Sequence, residues 1–512
     1  MRFTVVVTRL VLATCLVVLA LLPAAAQASD QQLSMMMDDD LLVYRDDATR
    51  DAAMSRMKQL GVDYVRVTVL WSVVAEGARS TKARRRRFDP RNPSRYPIRN
   101  WDRYDRLVRA ARTLGLGVYF NVTPPGPSWS RGKAPRGLRD VVKRAWKPKP
   151  SEFAKFVEAV GRRFSGRYKD ENDGGQAIPR VAFWSLLNEP NQGGWLSPQY
   201  EHARMRSPAM ARELFLRARA ALDRTGHGRD TILFGETAPL GSSLRNQTSP
   251  IRPKRFYREL LCQSRRSFRC NLFEKYGPIR ATGVAHHPYT KNVSPLVKDR
   301  NPDSITMANA SALGDLIDSL ARRTKNVKRG LPVYMTEFGF ETNPPDPFSG
   351  VPVEQQAEWN QLGDFLAYAN PRIAAITQFL LRDVAPVKSA RRGTKPYWFT
   401  YQSGLFYNDD KAKPSATGYF FPFLASAAGA DAANVWGQLR FRPNALPAGA
   451  QDTVQIQHAP GASEQWTDVG GPITVTNPMG YFVARVQYPG PGRLRAIWNP
   501  GLPVPSRPQP VR

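Results

Sequence analysis

The sequence predicts an α/β chain: a (β/α)₈ TIM barrel followed by a small C-terminal antiparallel β-sandwich. Three observations carry that expectation. Between about Ser34 and Ala428, eight short apolar runs alternate with amphipathic helical stretches, the pattern of parallel strands covered by helices. Beyond about Asp431 the helical periodicity stops, and short alternating runs such as DTVQIQHA and YFVARVQY follow one another across turn residues. The first strand is not followed by the glycine-rich G-x-G-x-x-G of a doubly wound dinucleotide-binding sheet.

Taken in order, the first strand is Leu33–Met37, and a helix over Asp47–Leu60 stops at Gly61. Val62–Leu70 is the second strand, and a helix over Asp102–Leu114 leads into the third, Gly117–Val122. The next helix is expected over Ser151–Tyr168 with Ser151 as its cap. The remaining strands are Val181–Leu187, Thr231–Phe234, Thr282–Ala285, Val333–Met335 and Ile373–Phe379. Helices near Pro208–Thr225, Ala308–Arg323 and Val353–Asn370 fill gaps between them. The expected division is a leader over 1–28, a barrel over 29–428, a sandwich over 431–500 and a disordered proline-rich tail over 501–512. A chain of 512 residues has room for a large barrel and a satellite domain.

The first 28 residues read as a secretory signal. Arg2 and Arg9 form a basic start, Leu10 to Leu22 is largely apolar, and Ala26-Gln27-Ala28 is a small-x-small cleavage site. The apolar run is short for a bilayer span. A mature chain outside the cell is therefore expected. There Cys262 and Cys270, in CQSRRSFRC, read as one local disulfide. Two cysteines with no nearby histidine do not complete a tetrahedral metal shell, so no metal is expected there.

The formal net charge is +31. Such a charge attracts polyanions, among them an anionic glycan or cell envelope. The basic residues are dispersed along the chain, so compositional bias, which needs no partner, is the first reading of the balance. A specific nucleic-acid surface would need Lys and Arg clustered with aromatics on one face, and none is expected. The one dense run, Arg84 to Arg87, falls in a loop between a strand and a helix. The chain is expected to be monomeric.

Two strand ends carry the chemistry. Trp184-Ser185-Leu186-Leu187-Asn188-Glu189-Pro190-Asn191 ends an apolar strand in an amide and a carboxylate, and Val333-Tyr334-Met335-Thr336-Glu337-Phe338-Gly339 ends another in a carboxylate. Barrel chemistry sits at the C-terminal ends of strands. Two carboxyls across a barrel mouth are what cleavage of a glycosidic bond requires, one neutral to protonate the leaving oxygen and one charged to attack the anomeric carbon. Glu236, in FGETAP after the fifth strand, is a third carboxylate near the mouth, either contacting a sugar hydroxyl or pairing with an arginine. Trp71, Trp129 and Trp195 fall in loops after strands two, three and four, where aromatics stack on sugar rings or pack the loop. The neighbours His286 and His287 point to opposite faces of a strand and do not readily share a metal ion, so neither a metal nor another cofactor is expected.

LLNEPN and TEFGF, each closing a strand, resemble the retaining β-glycosidases that carry catalytic glutamates on strands four and seven, clan A of the glycoside hydrolases, which includes cellulases, mannanases and β-xylosidases. The resemblance covers roughly residues 34–425 and is specific at the two glutamates. It implies Glu189 as acid/base, Glu337 as nucleophile, and Asn188 against the sugar 2-hydroxyl. It also implies Arg66 as support for the nucleophile, and matches His287 and Tyr289 to a His-x-Tyr whose tyrosine hydrogen-bonds the nucleophile. The family often ends strand eight in a Trp. Here the strand reads ITQFLLRD, with Gln378 and Phe379, and Trp398 in the next loop is the substitute. The expected activity is hydrolysis of O-glycosidic bonds in an oligo- or polysaccharide; the alternative is a glycan- or envelope-binding protein that kept the barrel.

Overall fold

The computed structural model describes residue 29 and residues 31–264, 270–429, 431–441 and 451–511. The leader read over residues 1–28 lies outside them. Eight strands close into a parallel barrel: β1 (Leu33–Met37), β2 (Tyr64–Leu70), β3 (Gly117–Thr123), β4 (Phe183–Leu186), β5 (Thr231–Thr237), β6 (Gly283–His286), β7 (Val333–Phe338) and β8 (Ile373–Phe379). Their order around the barrel follows the chain, and β8 closes on β1 with Leu33 opposite Ala375. The principal helices are α1 (Asp47–Gln59), α2 (Arg99–Thr113), α3 (Pro150–Arg163), α4 (Ser207–Arg224), α5 (Pro253–Leu260), α6 (Ser311–Thr324), α7 (Val353–Tyr368) and α8 (Pro414–Phe420). Shorter helical turns lie in the connections, among them Lys82–Arg87, which puts the basic run expected in a loop on an exposed helical turn.

Strand alternation builds the barrel in layers. Val65, Val67 and Val69 of β2 face outward into the main core with Leu107, Val108 and Ala111 of α2. The intervening Tyr64 and Arg66 face the axis. At the bottom of the barrel Met35, Tyr119, Phe183, Leu233, Ala285 and Ala375 form an apolar plug, with Tyr64 and Tyr334 against it. One layer up, the inward positions turn polar: Arg66, Asn121, Ser185 and Thr336, all buried. The mouth is thus a polar site on an apolar floor.

Helix α3 begins at Pro150, not Ser151, and has no side-chain cap. Proline's fixed φ and missing N–H suit the first helical position, so a cap is not required to start the helix. Helix α7 is buried nearly all round because it lies between two bodies. Its Leu362, Phe365 and Tyr368 pack against Leu424, Trp436 and Tyr481 of the C-terminal domain, and Asp364 pairs with Arg440 at 3.1 Å.

That domain is a two-sheet antiparallel sandwich. One sheet contains β9 (Phe423–Ala427), β10 (Ala432–Gln438) and β13 (Tyr481–Gln487); the other contains β11 (Asp452–Pro460), β12 (Thr467–Val475), β14 (Gly492–Trp498), β15 (Val504–Pro505) and β16 (Gln509–Val511). Its limits differ from the expectation at both ends. β9 precedes residue 431, and the tail over 501–512, expected to be disordered, supplies two short strands that pair with β14. Proline is compatible with a sheet edge, where an N–H need not face a partner. Val511 is buried in the sandwich core, and Ser506 Oγ accepts from Ala496 N at 2.9 Å.

Cys262 and Cys270 form a disulfide, with Cα atoms 5.7 Å apart. The intact non-reduced protein should therefore be lighter than the dithiol by two hydrogens and resist alkylation in its native state. Two reactive thiols would contradict the bridge. Among the described residues no helix is long and apolar enough to cross a membrane.

Candidate active site

The site is assembled from the C-terminal ends of β2, β4, β5, β6 and β7. At the end of β4 the chain turns sharply: Leu187 and Glu189 adopt positive φ, 76° and 37°. Non-glycine residues in this region cost about 1–3 kcal/mol each and persist only where surrounding contacts fix them. Here Leu187 N donates to Val122 O, Asn188 N donates to Thr123 Oγ1 at 2.8 Å, and Glu189 N donates to Glu236 O at 2.9 Å. Asn121 Nδ2 holds Leu187 O at 2.7 Å. The turn lifts the Glu189 carboxyl out of the barrel wall and over its mouth.

Glu236 is displaced the other way. A bulge in β5 between Gly235 and Thr237 re-aims it into the barrel. Gly235, with φ 112°, leaves no room for a side chain: a Cβ there would run into Tyr257 Oη and Ala285 O. Glu236 is 0% exposed. It accepts from Tyr119 Oη, from Ser185 Oγ at 2.6 Å, from Thr336 Oγ1 at 2.7 Å, from Arg66 Nη2 at 3.1 Å and from His287 Nε2 at 2.8 Å. Of the two readings the sequence leaves open for Glu236, its environment matches the arginine pair, and the carboxyl organises the groups above it. Burial favours its neutral form, but the Arg66 and His287 charges and the Ser185 hydroxyl hold the carboxyl well below the usual range.

Arg66 is the second organiser. It is fully buried, and its guanidinium donates to Glu337 Oε1 at 3.0 Å, Asn188 Oδ1 at 2.9 Å and Glu236 Oε2. Against the penalty of burial, Glu236 and Glu337 hold it charged at all accessible pH. Tyr289 Oη donates to Glu337 Oε2 at 3.1 Å. His287 spans the cluster, with Nε2 toward Glu236, Nδ1 3.0 Å from Glu189 Oε1, and Nδ1 3.4 Å from Glu337 Oε2. Burial opposes its charge, but Glu337, Glu189 and Glu236 together raise it to about 10. Its neighbour His286 is pulled the other way by burial, to about 3, and bonds Thr237 Oγ1 and Ile305 O instead.

Glu189 and Glu337 face each other here. A Glu189 oxygen, a His287 nitrogen and a Glu337 oxygen all lie within 4.8 Å of one another. Side-chain exposure is 21% at Glu189 and 11% at Glu337. Burial, with Glu189 and Glu236 adding repulsion, pushes the Glu337 carboxyl up; the His287 and Arg66 charges oppose it. The three groups are close enough to hold a cation only if His287 gives up its proton, since an imidazolium has no lone pair to offer.

Seven sequence candidates thus converge: Glu189, Glu337, Asn188, Arg66, His287, Tyr289 and Glu236. One tryptophan does not. Trp71 is 0% exposed, stacked on Phe156 at 5.6 Å and edge-on to Trp129 at 6.0 Å, so it is core. Trp129 is held by Trp71 and Phe88, with Arg79 over its ring. Trp195 lies in the loop after β4, where its N–H closes a turn onto Gln192 O. Trp398 packs edge-on to Tyr397. At the end of β8, Phe379 lies 6.1 Å from Tyr289, and Tyr401 lies 5.1 Å from Phe379. Tyr401 was not legible beforehand; it sits in a long aperiodic loop. Gly339 permits this packing, since a Cβ there would collide with Phe379 O. A separate cavity of about 380 Å³, lined by Tyr200, Glu201, His202 and Arg245 among others, lies further along the loops after β4 and β5 and contains none of the clustered carboxyls.

A scan against protein-family models gives no match, and neither does a search of curated proteins. Solved structures do resemble the chain. They include a glucosidase from Croceicoccus marinus, at 14% identity over 88% of this chain and 82% of that one with a TM-score of 0.48. A monomeric β-xylosidase from Caulobacter crescentus matches at 14% identity over 90% and 95% with a TM-score of 0.48. An endo-β-1,4-mannanase from Thermotoga petrophila matches at 11% over 96% and 99%, with a TM-score of 0.41. Likenesses this distant carry no argument about activity.

Proposed function

We propose that the protein is a secreted glycoside hydrolase of the clan A type, cleaving a β-linked glycan with retention of configuration. The observation that carries this reading is the approach of Glu189 and Glu337 with their facing oxygens within 4.8 Å. Retaining enzymes hold their carboxyls about 5–5.5 Å apart, whereas inverting enzymes leave about 6.5–9.5 Å for a water. The donors divide the roles. Both Glu337 oxygens accept bonds, from Arg66 and from Tyr289, and these stabilise a carboxylate aimed at the anomeric carbon. Glu189 is more exposed, and its carboxyl bonds only His287 among the clustered side chains, which leaves it to meet the departing oxygen.

In the first step Glu337 attacks the anomeric carbon while Glu189 protonates the departing oxygen, giving a glycosyl ester on Glu337. In the second, Glu189 takes a proton from water, the water oxygen attacks the anomeric carbon, and Glu337 leaves. Asn188, fixed by Arg66, is aimed at the sugar 2-hydroxyl. The leader and the disulfide support export. Hydrolysis of a panel of aryl β-glycosides and β-linked oligosaccharides, with Glu337→Ala as the control, tests the reading. No cleavage by a folded wild-type protein would favour a glycan-binding protein on the same barrel.

The pH profile follows from the same geometry. Turnover needs Glu337 ionised, and burial raises its carboxyl. As pH falls through that raised pKa the nucleophile is protonated, so kcat/KM should fall off on the acid side above the value of about 4.3 for a free glutamate. An acid limb at or below that value would contradict the arrangement.

A further inference from the structure

The fold gathers the positive charge that is dispersed in the sequence. The six barrel helices of thirteen residues or more, α1 to α4, α6 and α7, together carry seventeen Lys and Arg against thirteen Asp and Glu. The loops that leave β2, β3 and β8, residues 71–98, 124–149 and 380–413, have nearly the same total length and carry twenty-three against six. The loops that leave β4, β5, β6 and β7 carry seven against six. Compositional bias would load helices and loops alike.

Barrel order turns this count into a surface. β8, β1, β2 and β3 are consecutive neighbours, so the three basic loops share one side of the mouth. Only the short segment after β1 intervenes, and its acids are occupied locally: Asp38 bonds Leu41 N and Arg382 N, Asp39 bonds Thr68 N, Asp40 pairs with Arg45, and Asp46 caps α1.

Arg91, Lys143, Lys147, Arg382, Lys411 and Lys413 are paired with carboxylates, but a group of cations in the β8 loop is available. Lys388, Arg391, Arg392 and Lys395 are exposed, and none has an ion-pair partner among the described residues. Helical arginines, by contrast, are commonly neutralised: Arg163 by Asp105, Arg217 by Glu213, Arg224 by Glu158. The β8 loop is also continuous with the catalytic cluster. Phe399 is 81% exposed and Tyr401 56% exposed. Tyr401 touches Phe379, Phe379 touches Tyr289, and Tyr289 donates to Glu337. Exposed rings beside unpaired cations offer a flat face for a pyranose and a counter-charge for an anionic substituent on it.

We propose that the glycan cleaved at this site is a polyanion, bearing carboxylate or sulfate groups along its length, held by the basic side of the mouth formed by the loops after β2, β3 and β8. The proposal rests on the glycosidase reading above and names its substrate class. Like charges crowded on one rim repel one another until an anionic chain neutralises them. Their field also draws such a chain toward the carboxyls that cut it, by an amount that salt screens.

Calorimetry on the Glu337→Ala protein, which binds without turnover, tests this with three oligosaccharides of equal length: a polyuronate, a sulfated chondroitin and a neutral glucomannan. At least one charged chain should bind more tightly than the neutral one, with affinity falling steeply as salt is added; which one binds identifies carboxylate or sulfate. Adding Arg391→Gln, Arg392→Gln and Lys395→Gln should weaken binding of the charged chain by about tenfold and flatten the salt dependence. Equal affinity for the neutral chain, no response to the triple substitution, or equally tight binding of duplex DNA of matched charge would overturn the proposal. Wild-type cleavage of neutral glycans alone overturns it while leaving the glycosidase reading intact. Tight binding of a charged chain with no glycan cleaved by wild type removes the glycosidase reading and leaves the binding surface.

Discussion

Glu337→Ala should abolish turnover of every substrate, by about 10⁴-fold or more, because no glycosyl ester can form without the nucleophile. Glu189→Ala should behave differently. With a poor leaving group it should cost about 10²–10⁴-fold, the usual worth of a positioned acid or base. With an aryl glycoside that leaves unaided, the first step should still proceed, and the ester on Glu337 should accumulate. Azide needs no general base, so it should restore turnover of Glu189→Ala and give the β-glycosyl azide from a β-substrate. At Glu337→Ala azide enters from the vacated face and gives the α-azide. The reverse pairing would mean that the two roles are exchanged.

Arg66→Ala should be the most damaging change away from the two glutamates. Arg66 and Glu236 are both buried, and Arg66 also bonds Glu337 and Asn188. Removing the cation leaves His287 alone to offset the buried carboxylates Glu236 and Glu337, a loss of about 3–5 kcal/mol of stability. Arg66→Lys keeps the charge and loses the fork, so it separates folding from function. It should fold, yet hold only part of the Glu337–Asn188–Glu236 set, and kcat should fall with little change in KM. A lysine that no longer reaches Glu337 also supports its ionised form less, so the acid limb of kcat/KM should move to higher pH. A Lys variant with wild-type kcat and an unmoved acid limb would show that Arg66 merely fills space.

How far the sequence foretold this arrangement depends on the kind of signal. β1 and β8 match their expected limits because an apolar run in a parallel barrel is bounded by polar or turn residues. β5 runs three residues beyond its expected end, through Gly235, Glu236 and Thr237, because polar side chains pointing into the mouth interrupt the apolar pattern without ending the strand. The two glutamates were legible because each ends a strand. Glu236 was legible as a carboxylate near the mouth but not as the buried organiser, since its orientation comes from a bulge. The tryptophans were left open between sugar stacking and loop packing because chain position gives the loop and not the direction: Trp71 follows β2 immediately and turns into the core against Phe156. The tail was misread because proline content resembles disorder, while only the sheet edge beside it shows that β15 and β16 have a partner. Charge was the least legible, because a linear count does not reveal that β8 closes beside β1 and brings distant loops together.

Proton NMR of the first-formed sugar, recorded during wild-type hydrolysis of a β-linked substrate and before mutarotation, tests the central claim most directly. Two displacements at one carbon, with Glu337 as the intermediate's anchor, require the β-anomer to appear first and the α-anomer to grow in only by mutarotation. Initial release of the α-anomer would mean a single displacement by water and would contradict the account.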